Sequence, residues 1–134
     1  MHILVIGAGG MLGAKLLARL GKEGKLGGKA IARVTRYDAV IPPAPPASDY
    51  PVETFVGDLS AAGEPEKLIA GKPDVIFHLA AIVSGEAEKD FEKGYRINLD
   101  ATRILFEVIR KAGGGYKPKV IFTSSIAVFG APFP

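Results

Sequence analysis

Apolar residues along the chain fall into short blocks separated by longer stretches with helical spacing. The blocks "HILVIG", "ARVTRYD", "VETFVGD", "DVIFHLAA" and "KVIFTSS" are strand-length, rich in Val and Ile, and end in Gly, Asp, Ser or small residues. Runs such as "ILVI" and "DVIF" have no polar alternation. They predict strands buried on both faces, as in a parallel sheet. In "GMLGAKLLARLGK", Leu12, Leu16, Leu17 and Leu20 recur on one helical face. "GEPEKLIAG" predicts one or two helical turns, with Pro65 tolerated in the first. The longest predicted helix runs over 86–112. Phe91, Tyr95, Leu99, Thr102, Leu105, Phe106 and Ile109 lie on one side of it. Its first turns carry Glu86, Glu88, Asp90 and Glu92 and its last Arg110 and Lys111, which suits the helix dipole, and Gly113 is the expected stop.

The segment "AVIPPAPPASDYP" breaks this alternation. Pro42, Pro43, Pro45 and Pro46 exclude a regular helix and predict a stiff surface loop. Its PxxP spacing would also suit an aromatic peptide-binding groove, and the loop is the expected reading. The element order is therefore β-α-β-loop-β-α-β-α-β. Right-handed crossovers make this an α/β fold, a Rossmann-like doubly wound parallel sheet. In the order of these five predicted strands the sheet reads 3-2-1-4-5, and the fold is expected to be truncated after strand 5. The fifth strand is then an exposed apolar edge.

Composition narrows this reading only a little. The 134 residues suffice for one domain, and 48% are hydrophobic. There is no cysteine, which excludes a disulfide framework, a cysteine zinc site and a thiol nucleophile. No metal site is expected. The apolar N-terminus lacks a basic leader, and glycines at 7, 9, 10 and 13 interrupt it, so it is not read as a signal peptide. No segment is long enough for a membrane span, and a soluble, cytoplasmic protein is expected. The net charge of +3 is uneven, with seven Lys/Arg against Glu23 and Asp38 in residues 1–47. Lys15, Arg19 and Lys22 fall opposite the leucines, and Lys25 and Lys29 lie in a Gly-rich loop. No aromatic residues interleave with them, so a solvated face is expected rather than a nucleic-acid surface.

The chemistry-bearing stretch is "GAGGMLG", directly after strand 1 and at the start of helix 1. Gly7, Gly10 and Gly13 give G-x-x-G-x-x-G, and Gly9 adds G-x-G. Gly7 allows the tight turn. Gly9 or Gly10 lets the backbone approach a pyrophosphate, and Gly13 lets the helix lie on the sheet. Amides at the helix start, around Met11 and Leu12, then face the phosphates. A ligand-free tight turn is the alternative. A P-loop is excluded, because no Lys-Ser/Thr pair ends the glycine run.

Asp38 ends "VTRYD", where this fold meets the adenosine ribose. A carboxylate accepts from the 2′- and 3′-hydroxyls and repels a 2′-phosphate, by about 4 kcal/mol for unit charges ~4 Å apart at an effective dielectric of ~20. That favours NAD over NADP. Arg33 and Arg36 argue the other way, because an arginine near this site can hold a 2′-phosphate. Asp58, in "VGDLS", is placed to accept from the adenine amino group beside the Leu59 backbone, or simply to cap a turn.

Together "GAGGMLG", "GDLS", "HLAA" and "FTSSIAVFG" resemble the extended short-chain dehydrogenase/reductase family, in its NAD-dependent epimerase/dehydratase branch. They occur in order and span the chain. The resemblance implies that residues 1–134 are an incomplete NAD-binding Rossmann-like domain. It implies that Leu79, Ala80 and Ala81 line the nicotinamide ribose, that Asn98 sits near the catalytic centre, and that Ser125 is the catalytic serine with Ser124 beside it. "AIVSGEAEKDFEKGYRINLDATR" and the "IPPAPP" loop are similar to a group within the family that oxidises C2 of a four-carbon sugar acid with NAD. Ala101 stands where that group usually has Gly. A small-molecule sugar-acid substrate follows from this similarity. A nucleotide-sugar epimerase or dehydratase and a non-enzymatic NAD-binding module are the alternatives, and a homodimer is expected of the full-length protein. Ser84 is either a helix N-cap or a contact to the substrate carboxylate. His78 is read as structural rather than as a base, and Asn98 alternatively bonds a neighbouring backbone group.

The family mechanism uses a tyrosine general acid/base with a lysine four residues later. Tyr37, Tyr50, Tyr95 and Tyr116 are the only tyrosines, and none has Lys at that spacing. The 134 residues by themselves are therefore expected to be the cofactor-binding half of a dehydrogenase and inactive alone.

Overall fold

The computed structural model describes residues 1–131. Its centre is a sheet whose strands are all parallel: β1 His2–Ile6, β4 Arg33–Asp38, β5 Val52–Val56, β6 Val75–His78 and β7 Lys119–Phe122. The strand order is β5-β4-β1-β6-β7. This is the predicted 3-2-1-4-5 arrangement once a small antiparallel hairpin, β2 Lys25–Leu26 with β3 Lys29–Ala30, is counted separately. The hairpin stands where the sequence suggested only loop. Gly27 and Gly28 take φ +56° and +79°, the left-handed pair that a two-residue hairpin turn requires.

Burial follows the central position of β1, all five of whose residues are buried. Leu4 and Ile6 point to a core shared with α2 (Glu64–Ala70) and α5 (Ala101–Lys111), which contribute Leu68, Ile69 and Leu105. Ile3 and Val5 point to the other face and meet Leu17 and Leu20 of α1 (Met11–Glu23). Leu12, expected on that apolar face, is instead exposed at the helix start, because Gly13 takes the contact with the sheet. Gly24 closes α1 at φ +62°, donating to Leu20 O. Pro65 falls in the first turn of α2, as expected. β5 and β7 form the sheet edges, with Phe55 and Phe122 exposed.

The expected single helix over 86–112 is three helical pieces. α3 (Ser84–Lys89) stops at Asp90, whose backbone leaves the helical region at φ −136°, ψ +86°. The Asp90 carboxylate accepts from Lys93 N at 3.0 Å and so caps α4 (Phe91–Tyr95). Aspartate competes for backbone amides inside a helix and stabilises a helix start, so the break falls there. A π turn, Arg96–Asp100, then joins α4 to α5. The wider turn changes the phase of the side chains, and the expected apolar face divides. Ala101 and Leu105 are buried, while Phe91, Tyr95, Leu99 and Phe106 are exposed.

The far end of the sheet is fastened by His2. Its Nε2 lies 2.9 Å from Thr35 Oγ1 and its Nδ1 3.2 Å from Gly71 O. Burial lowers the pKa of His2 and of His78 below the ordinary value of 6.5. The unfolded chain therefore binds more protons than the folded one below that value. The stabilisation is present above it and is lost as pH falls towards the folded values. Urea unfolding between about pH 7.5 and about pH 5.5 is expected to show stability falling by up to about 1.4 kcal/mol per pH unit for each histidine. A flat profile there would contradict the neutral, buried assignment of both rings.

Candidate functional site

The C-terminal ends of β1, β4, β5 and β6 surround a cleft of about 610 Å³. It opens where chain connections leave β1 in opposite directions, towards β4 on one side and β6 on the other, the usual ligand position in open α/β sheets. Gly7, Gly9 and Gly10 line it, with Asp38, Asp58 and Leu59, and with Leu79, Ala80 and Ala81. Four sequence-distant stretches are thus brought together by strand order alone.

The glycines differ in what they do. Gly7 has φ +86°, and a Cβ there would lie 2.7 Å from Ala80 N. A Cβ on Gly13 would lie 2.2 Å from Gly7 O. Helix α1 and the loop after β6 therefore both press on the Gly7 backbone. Gly10 is the N-cap of α1, with φ −70° and ψ +164°, and a Cβ there would meet Gly7 O at an ordinary 3.4 Å. No side chain caps α1 and no acidic residue sits in its first turn, so its opening amides at Met11 and Leu12 have no side-chain partner, although Met11, Leu12 and Gly13 are not among the residues that line the cleft. Met11 and Leu12 have exposed side chains.

Gly9 aims the acidic partner. Its N–H donates to Asp38 Oδ2 at 2.8 Å, while Oδ1 has a long contact of 3.4 Å with Val40 N. The two arginines that argued for a phosphate are engaged elsewhere. Arg36 is 4% exposed, donating to Thr54 Oγ1 from Nε and Nη2 at 3.1 and 2.7 Å and to Pro43 O from Nη1 at 2.7 Å. It holds the proline loop, and burial lowers its pKa. Arg33 opens β4, at the opposite end from Asp38, and donates to Gly71 O at 3.0 Å.

At the far side of the cleft Asp58 accepts from Ser60 N at 2.9 Å and from the Arg96 guanidinium. Burial raises its pKa, and hydrogen bonds from Ser60 and Arg96 outweigh this, leaving it lowered. Arg96, Lys93 and Ile97 line the cleft and were not found from sequence. Arg96 and Ile97 lie in the π turn and Lys93 in α4 just before it, where the change of phase is not readable from a regular helical period.

Other expected residues lie outside the lining. Asn98 bonds a backbone group distant in sequence rather than a neighbouring one, accepting from Ile82 N at 2.9 Å and donating to Ile82 O at 3.0 Å. It thereby clamps the loop that carries Leu79, Ala80 and Ala81. Ser84 does not cap its helix: the N-cap is Val83, with no side-chain cap bond. Ser84 lines a separate apolar hollow with Phe91, Tyr95 and Leu99. Ser124 and Ser125 are exposed beyond β7, and Ser125 Oγ accepts from Ala127 N at 3.2 Å, starting the 3₁₀ turn Ile126–Phe129. Thr123 N bonds His78 O at 3.2 Å, so both serines leave the sheet beside a strand that ends in the cleft. Two tyrosine hydroxyls are already engaged, Tyr37 with Glu64 at 3.0 Å and Tyr116 with Pro73 O at 2.7 Å. Burial raises both pKa values, that of Tyr116 to about 12. Among the described residues no cluster of potential metal ligands occurs, and no helix is long and apolar enough to cross a membrane.

Comparison with known proteins adds three relatives and one family. The family model described as the NAD dependent epimerase/dehydratase family matches residues 3–134. A D-erythronate dehydrogenase of Cupriavidus necator is 42% identical over all of this chain, and one of Haemophilus influenzae is 36% identical. The chain spans 41% of the length of each of these curated relatives. A crystal structure described as the nucleoside-diphosphate-sugar epimerase from Agrobacterium tumefaciens superposes with a TM-score of 0.95 at 62% identity, over all of this chain and 40% of that one.

The glycine contacts give a graded expectation. Gly13→Ala forces α1 off the Gly7 carbonyl and should cost at least about 1–3 kcal/mol in urea unfolding. Gly10→Ala, with only an ordinary contact to Gly7 O and a permitted backbone, should stay within about 1 kcal/mol of the parent. Equal losses at the two positions would contradict this geometry.

Proposed function

Because the chain belongs to the NAD dependent epimerase/dehydratase family, we propose that residues 1–134 are the NAD-binding part of a dehydrogenase that oxidises a sugar acid such as D-erythronate at C2. The observation that carries the cofactor reading is Asp38, held by Gly9 N–H in a cleft that Gly9 and Gly10 line directly before the uncapped start of α1. Amides at that helix start suit a pyrophosphate, and the carboxylate suits a ribose diol. Arg36 and Arg33 are committed to Thr54, Pro43 and Gly71, which leaves Asp38 to set the charge at that position. NAD is thereby favoured over NADP.

In this reading Gly7, Gly10, Met11, Leu12 and Gly13 bind the pyrophosphate through backbone amides and close approach. Asp38 holds the adenosine ribose, and Asp58 with Leu59 holds the adenine end. Leu79, Ala80 and Ala81 flank the nicotinamide ribose, with Asn98 behind them and Ser124 beside them. Ser125 orients the substrate hydroxyl, and Ser84 contacts the substrate carboxylate. NAD, when bound, supplies the hydride acceptor. The Tyr37 and Tyr116 hydroxyls are bonded within the fold, and no tyrosine among these residues has Lys four positions later, so none of them is assigned as the proton acceptor. The soluble sugar-acid enzyme is expected in the cytoplasm and as a homodimer.

The two D-erythronate dehydrogenases favour the sugar-acid substrate. The 62% identity to a protein described as a nucleoside-diphosphate-sugar epimerase supports a second reading, an epimerase acting on a nucleotide sugar. The full-length protein separates them. A dehydrogenase accumulates NADH with D-erythronate and leaves a nucleotide-sugar hexose unchanged, whereas an epimerase inverts the sugar with no net NADH.

Cofactor choice is tested at one residue. Asp38→Ala in the full-length protein should lower the preference for NAD over NADP at least about tenfold by equilibrium titration, through loss of both diol acceptor and repulsion. A wild-type protein that prefers NADP would overturn the assignment of Asp38.

A further inference from the structure

The bonds around His78 assign a role to a residue that neither motif nor composition marks. His78 ends β6 and is 1% exposed. Its Nε2 lies 2.9 Å from Thr102 Oγ1, and Thr102 Oγ1 lies 3.3 Å from Asn98 O. A threonine hydroxyl has one proton. With that proton donated to the Asn98 carbonyl, Oγ1 accepts from His78, and the ring proton sits on Nε2. His78 Nδ1 has no partner among the described residues. A proton on Nδ1 would be a buried donor with no acceptor, so both ends of the ring favour the same tautomer.

The chain of bonds continues from there. Asn98 lies in the π turn, where regular helical hydrogen bonding does not fix its orientation. Its carbonyl is held by Thr102, and its side chain holds both the N–H and the C=O of Ile82. The loop it holds begins at Leu79, whose N–H bonds Ile6 O at 2.8 Å, and includes Ala80, which leaves no room for a Cβ on Gly7. A shift of this loop therefore either opens the cleft or pushes on the glycine turn.

We propose that Thr102 is the positioning residue of the cleft. Its hydroxyl ties the end of β6 to the π turn and so sets Asn98, which holds residues 79–82 against the glycine loop. Its effect on cofactor rests on the NAD assignment above, whereas its effect on the loop does not. In the full-length protein, Thr102→Val keeps the shape and removes the hydroxyl, and Thr102→Ser keeps the hydroxyl. Valine should weaken NAD binding about tenfold and speed hydrogen exchange at the Ile82 amide, while serine should keep both within about twofold of the parent. Nitrogen-15 spectra of labelled histidine should show His78 as the Nε2–H tautomer in the parent and the serine variant. Unchanged Ile82 exchange in the valine variant, unchanged NAD affinity there, failure of serine to rescue, or an Nδ1–H tautomer in the parent would each overturn the proposal. If the parent itself does not bind NAD, the cofactor assignment falls, and Ile82 exchange with the histidine tautomer decides the positioning role alone.

Discussion

Backbone contact at Gly7 is the constraint on which the rest of the site depends. Strand β1 delivers Gly7 to the carboxyl end of the sheet, the loop after β6 touches it through Ala80, and α1 touches it through Gly13. Two consecutive segments and one distant in sequence meet at one residue with no side chain. None can move independently, because interiors close-packed to this degree transmit displacement rather than absorb it. The start of α1, the Asp38 carboxylate bonded to Gly9 and the 79–82 loop are fixed relative to one another by that contact.

Charge around the cleft is arranged by where cations are bound, not by how many there are. Arg36 is buried on neutral acceptors, a costly place for a guanidinium, and the three bonds to Thr54 and Pro43 give each of its nitrogens a partner. In exchange it fastens the proline loop beside Asp38, where Pro42 is buried next to Gly9. Arg96 faces the cleft, and its guanidinium meets Asp58. Asp38 is thus the carboxylate at the ribose end that no arginine side chain neutralises among the described bonds.

The segment from Ser84 to Lys111 shows how far a periodic pattern can be trusted. Its apolar residues recur at helical spacing, and Leu105 does enter the core. Asp90 and the π turn interrupt the phase, so Phe91, Tyr95 and Leu99 face away from the sheet and line an apolar hollow of their own. Spacing reports which residues share a face only while the turn stays at 3.6 residues, and one wider turn is enough to divide the face.

Short-range chemistry was therefore readable from the chain alone. Unalternated Val/Ile blocks specify buried parallel strands, the Gly7–Gly13 spacing specifies a strand–turn–helix junction, and Asp38 falls at the end of its strand because the block ends there. Such features depend on neighbours in sequence. The engagement of Arg36, the pairing of Asp58 with Arg96, the clamp of Asn98 on Ile82 and the bond between His78 and Thr102 were decided only by tertiary structure. Each joins residues 7 to 38 positions apart, and a hydrogen bond is set by a few tenths of an ångström that no local pattern encodes.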